Sequence, residues 1–111
     1  MSGLIASFRH ALRGITTSLA SQRNLKIHAA ATLAVLSLGL AVGLPSWKWA
    51  ALWLAIGLVW CAELLNTAIE ELCNLVHPGK DERVRRIKDA AAGAVLVAAL
   101  AAVAVGLLVF R

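Results

Sequence analysis

The sequence predicts an all-α integral membrane protein, with an N-terminal amphipathic surface helix at about 3–20 and spans at about 27–44, 49–76 and 89–110. Three observations predict it. The chain of 111 residues is 60% hydrophobic and only 15% charged, with mean hydropathy +0.79, more apolar than a soluble domain this small can cover. Its apolar residues fall into three runs, each long enough for a hydrocarbon core of about 30 Å. Its cations gather into two clusters that two crossings place on one side of the membrane. One membrane domain, 1–111, follows from the length.

Ile5, Phe8, Leu12, Ile15 and Leu19 recur three and four residues apart with Arg9 and Arg13 between them, the pattern of a helix lying in the membrane interface. This segment lacks the apolar core and small-residue cleavage site of a secretory signal. Ser21 to His28 reads as a polar hinge into the first span. Pro45 closes that span, and Trp47 and Trp49 suit the outer boundary. The second span is longer than a bilayer needs, so its last turns reach the cytoplasmic boundary. His77 to Arg83 carries Pro and Gly turn signals, Arg83 to Lys88 is a basic lead-in, and the Ala- and Gly-rich third span suits close helix contact in lipid.

Net charge is +5, which raises nucleic acid as a partner, but the distribution argues against it. Arg9, Arg13, Arg23 and Lys26 precede the first span; Lys80, Arg83, Arg85, Arg86 and Lys88 lie between the second and third. The excess marks the N-terminus and second loop as cytoplasmic and the C-terminus as outside. Anionic headgroups account for the basic clusters. Cys61 and Cys73 have no metal-site spacing and read as small apolar residues, His28 as a helix-end polar residue.

The second span carries the chemistry. At about 100° per residue, Glu63, Asn66, Glu70 and Asn74 fall on one stripe of an otherwise apolar helix. Ionisable side chains in a membrane segment are costly and mark function by default. Glu63 is the deeper carboxylate, in surroundings that disfavour its charged form, which suits a general base. Glu70, nearer the boundary, suits Mg²⁺, which takes one or two carboxylates plus phosphate oxygens. Asn66 can orient a hydroxyl or phosphate oxygen, Lys88 suits a phosphate, and Asp89 a basic or ribose-like group. These are parts used in phosphoryl transfer, although no Walker or kinase-type glycine loop is present. Short spans with a polar stripe favour a homo-oligomer.

The stripe Glu63-Leu-Leu-Asn-Thr-Ala-Ile-Glu70, followed by Lys88-Asp-Ala-Ala-Ala-Gly-Ala-Val-Leu96, resembles the bacterial diacylglycerol kinase / undecaprenol kinase family. Phe8-Arg-His-Ala-Leu-Arg-Gly14 and Gln22-Arg-Asn-Leu-Lys-Ile-His28 resemble that family's N-terminal motifs, so the likeness spans nearly the whole chain. The resemblance implies a homotrimeric enzyme of the bacterial plasma membrane that moves the γ-phosphate of MgATP to a lipid hydroxyl. Diacylglycerol is the first expected substrate and undecaprenol the alternative. It further implies Glu63 and Asn66 as catalytic, Glu70 and Gln22 as metal-binding, and Glu63, Arg23 and Asn24 as lipid-binding. His10, Glu70, Gly79, Lys80, Asp81, Lys88 and Asp89 would hold the nucleotide. The chain departs from the family pattern at Gln22, where a metal carboxylate is usual, at Asn74, where Asp is usual, and at Asp81, where a loop His is usual. Two rivals stand beside the kinase: a nucleotide-binding scaffold without turnover, and a cation conduit lined by Glu63 and Glu70.

Overall fold

The computed structural model describes residues 3–111. The described residues form four helices: α1 (Leu4–Ser21), α2 (Arg23–Val42), α3 (Ser46–Val76) and α4 (Glu82–Val109). The last three are long and apolar enough to cross a membrane.

Four helix ends differ from the sequence expectation by two residues or more; α3 begins at Ser46 rather than near Trp49, because the helix starts directly after Pro45. Helix α2 begins at Arg23 rather than near Ile27, because the stretch read as a hinge contains no Gly or Pro to interrupt it. Only Gln22 is extended; its N–H bonds the Ser18 carbonyl and its own carbonyl accepts from Lys26. Helix α4 begins at Glu82, so the basic lead-in is helical. Asp81 causes this as an N-cap: its Oδ1 accepts from the backbone N–H of Arg83 at 2.8 Å and of Val84 at 3.4 Å, supplying two of the donors that a helix start leaves unpaired. Helix α2 stops at Val42, two residues early. Gly43 there takes the left-handed conformation (φ 77°) and bonds back to the Gly39 carbonyl, the usual glycine ending.

The spans run antiparallel. Trp60 Nε1 donates to Thr32 Oγ1 at 2.9 Å, and further out Trp49 lies against Gly39, where an added Cβ would stand 2.7 Å from the Trp49 ring. Between α3 and α4, Lys88 meets Asn74 at one end. At the other, Lys48 Nζ donates to the Val109 carbonyl at 3.0 Å, capping a helix end that has no basic residue of its own. Helices α3 and α4 pack closely along their length, whereas α2 touches α3 more sparsely and stands off α4. An apolar groove of about 360 Å³ fills that gap, with Val35, Ala55 and Val59 among its walls and Ala99, Ala102 and Val103 opposite.

Helix α1 rests against α2 and α3 on Ala6, while Ile5 and Phe8 stay 74% and 62% exposed. Its large apolar residues face away from the bundle, as an interfacial helix requires. Across the spans, exposed leucines and tryptophans such as Leu54, Leu65, Trp53 and Leu107 give a surface suited to lipid.

Candidate active site

The buried face of α3 reads Leu52, Ala55, Val59, Glu63, Asn66 and Cys73. The seam that begins apolar therefore turns polar without leaving the helix face that packs inward. Glu63 is 4% exposed, and its Oε1 lies 3.3 Å from His28 Nε2 on α2. One turn further out, Asn66 Nδ2 donates to Glu70 Oε1 at 3.0 Å. Asn66 Oδ1 is buried with no hydrogen-bond partner among the described residues. An orphaned acceptor there is costly, and it marks a place where a donor or a cation fits.

Depth follows from helix lengths. Helix α2 has 20 residues and so is about 30 Å long, close to the hydrocarbon thickness. His28 lies about 8 Å along it from Arg23; its partner Glu63 is therefore just inside the boundary at that end of the span. Glu70 lies about 10 Å further along α3, level with the start of α2 or beyond it. The two carboxylates thus straddle the level where lipid headgroups meet water.

Beyond Glu70, Asn74 Oδ1 accepts from Lys88 Nζ at 2.7 Å. Lys88 also lines a polar cleft of about 660 Å³, formed with Gly79, Lys80, Asp81, Glu82 and Arg85. The structure thereby brings four of the expected nucleotide contacts, Gly79, Lys80, Asp81 and Lys88, to one cleft and ties that cleft to the stripe through Asn74. The carboxyl of Asp81 is held below the usual carboxylate range, first by the Arg83 N–H and then by that of Val84.

Other expected residues stand apart. Asp89 is 65% exposed and pairs with Arg85 at 2.8 Å, while Arg85 also bonds Glu82; consecutive residues on a helix point about 100° apart, so Lys88 and Asp89 face different partners. His10, Arg23 and Asn24 are exposed, and Gln22 is half-buried at the α1–α2 break. Sequence reasoning missed the pairing of His28, since only the cross-helix register brings it to Glu63.

The comparisons with known proteins agree with one another. Residues 9–110 match the model of the prokaryotic diacylglycerol kinase family. The chain belongs to the prokaryotic diacylglycerol kinase family. It is 44% identical over 104 residues to an undecaprenol kinase of Bacillus subtilis (strain 168), covering 94% of this chain and 85% of that one. To a diacylglycerol kinase of Synechocystis sp. it is 43% identical over 104 residues, covering 93% of this chain and 59% of the relative. As a member of this family the protein is a lipid kinase.

Among the described residues no three His, Cys, Asp or Glu side chains stand close enough to enclose a metal by themselves. That donor set fits Mg²⁺ brought in with a nucleotide: Glu70 offers the carboxylate, the unpaired Asn66 Oδ1 lies beside it, and phosphate oxygens supply the remainder.

Proposed function

We propose that this lipid kinase transfers the γ-phosphate of ATP to the hydroxyl of a membrane lipid at the cytoplasmic face of a bacterial plasma membrane. The observation that carries the proposal is the buried Glu63 and Asn66, with Glu70 bonded to Asn66, at the membrane boundary, continued through Asn74 and Lys88 into a cleft lined by Lys80, Asp81, Glu82 and Arg85. A lipid hydroxyl and a water-soluble phosphate donor can meet only at such a level.

In this reading the lipid hydroxyl docks against Glu63, which accepts its proton as the oxygen attacks the γ-phosphorus and the β–γ bridge breaks. Asn66 holds the hydroxyl or a phosphate oxygen by donating its second Nδ2–H, and its free Oδ1 is left for a cation. Lys88, Lys80 and the loop at Gly79 receive the phosphates, with Lys88 kept in place by Asn74. Mg²⁺, when bound, neutralises phosphate charge, and Glu70 with Gln22 would hold it. His10 is assigned to the nucleotide base, Arg23 and Asn24 to the lipid headgroup region, and Asp81 and Asp89 to the nucleotide rim. The cation distribution supports a cytoplasmic N-terminus and second loop. The three spans bury little against one another, which supports a homotrimer with the site between protomers.

The lipid is proposed to be a polyprenol of the undecaprenol class, ahead of the diacylglycerol that the sequence put first. Two things move the order. The relative matched over most of its own length is named for undecaprenol. The groove between α2 and α4 is a single apolar channel with His28 in its wall, which suits one long chain. Diacylglycerol is the second reading, because the Synechocystis kinase is nearly as similar by identity. Radiolabelled ATP and purified protein in mixed micelles, with each alcohol offered separately, decide between them. Label on undecaprenol at a rate well above that on diacylglycerol is expected; the reverse ranking would restore diacylglycerol.

A further inference from the structure

We infer that His28 is a positioning residue for Glu63: its Nε2–H holds one oxygen of the buried carboxylate so that the other faces the lipid hydroxyl. The inference rests on the reading of Glu63 as the base. His28 Nε2 and Glu63 Oε1 are 3.3 Å apart, and the Glu63 side chain is 4% exposed against 24% for His28. Glu63 has no other ion-pair or hydrogen-bond partner among the described residues. A buried carboxylate with one partner takes its orientation from that partner. A base held by a third group is the arrangement seen wherever a nucleophile is activated by a positioned acid–base residue.

The local structure fixes His28 in turn. One turn along α2, the Thr32 hydroxyl donates to the His28 carbonyl at 2.7 Å and accepts from Trp60 at 2.9 Å. Trp60 lies three residues before Glu63 on α3, so this second link sets the rotation and register of α2 against α3 that the histidine needs.

The charged surroundings of His28 are few. From α3 it meets Glu63. The α4 wall across the groove is Ala99, Ala102 and Val103, and the acids of α4, Glu82 and Asp89, are engaged by Arg85. Helix α1 carries no acid, and its Arg9 and Arg13 are exposed. On α2 itself Lys26 and Arg23 are exposed. The carboxylate of Glu63 is therefore the group through which His28 acts.

The test compares His28→Leu, which has no donor, with His28→Gln, which keeps one, in kcat and KM for lipid phosphorylation. In His28→Leu kcat is expected to fall by about 10- to 100-fold, the scale of a hydrogen bond to a charged group. Its KM for ATP should stay near wild type, and His28→Gln should recover most of the rate. Binding of MgATP and thermal unfolding of each variant verify that the fold is intact. An unchanged kcat in a folded His28→Leu protein overturns the inference, and so does a His28→Gln variant no better than His28→Leu. A wild-type protein that phosphorylates neither alcohol overturns the reading of Glu63 as a base, and this inference with it; wild-type turnover with an unchanged kcat in His28→Leu overturns this inference alone.

Discussion

Lys88 Nζ donates to Asn74 Oδ1 at 2.7 Å, joining the first third of α4 to the outer end of the polar stripe on α3. The lysine is held by a neutral amide, so its charge is left for an anion arriving in the cleft beside it. Where the resemblance leads one to expect Asp, a carboxylate would compete for that charge. Lys88→Met is predicted to raise KM for ATP by about 10- to 100-fold, the scale of a charge-assisted hydrogen bond, while KM for the lipid changes little. Initial rates at varied ATP and fixed lipid measure it. An unchanged ATP dependence would remove Lys88 from the nucleotide site.

Glu70 should report on the metal. In Glu70→Gln the Asn66 amide keeps an oxygen partner, so the helix packing stays, but the carboxylate charge is lost. The concentration of Mg²⁺ giving half-maximal rate is predicted to rise by tenfold or more, on the order expected for one charged ligand. Titration of Mg²⁺ at saturating ATP checks this. Removing divalent ions with a chelator should stop transfer in both proteins.

Gly39 is a packing position. Its missing Cβ leaves room for the Trp49 ring, which an added methyl would meet at 2.7 Å, with Leu44 a further neighbour. Gly39→Ala should destabilise the α2–α3 pair by about 1–3 kcal/mol, as overpacking does. The measurement is equilibrium unfolding in mixed micelles. Gly57→Ala is the control, since nothing lies within 4 Å of a Cβ built there.

Asp81 links a helix start to pH. Two backbone N–H groups favour its ionised form and hold its pKa below the ordinary value. A lowered folded-state pKa contributes stability that is complete above the unfolded value of about 3.9 and lost as pH falls through the folded one. Asp81→Ala is therefore predicted to fray the first turn of α4 at neutral pH, with faster hydrogen exchange at the Arg83 and Val84 amides. The two proteins should converge in strong acid. Equal exchange at neutral pH would show that the cap does not hold this turn.

Much of the architecture was legible because hydropathy and cation placement act along the chain. The i, i+3, i+4 pattern of Ile5, Phe8 and Leu12 was enough to mark α1, and the stripe from Glu63 to Asn74 was visible at helical spacing. What the sequence withheld were relations between helices. Nothing local says that His28 meets Glu63, that Trp60 finds Thr32, or that Asp89 turns to Arg85 while Lys88 turns to Asn74. The α4 start was misplaced because the hydrophobic signal begins near Asp89, whereas the backbone begins its helix where Asp81 can cap it. The Gln22 hinge narrowed to one residue for a like reason: polar residues keep a helix going when no Gly or Pro intervenes.

The measurement that bears most directly on the central claim is the rate of phosphate transfer from ATP to undecaprenol by Glu63→Gln beside wild type, with MgATP binding measured on the same samples. Glutamine keeps the shape of the side chain and removes its ability to take a proton. The account predicts a fall in kcat of about 10²- to 10⁴-fold, the range a positioned acid–base group supplies, with nucleotide binding retained. A Glu63→Gln protein that phosphorylates the lipid near the wild-type rate would contradict it, and would leave the buried carboxylate as a packing partner of His28 alone.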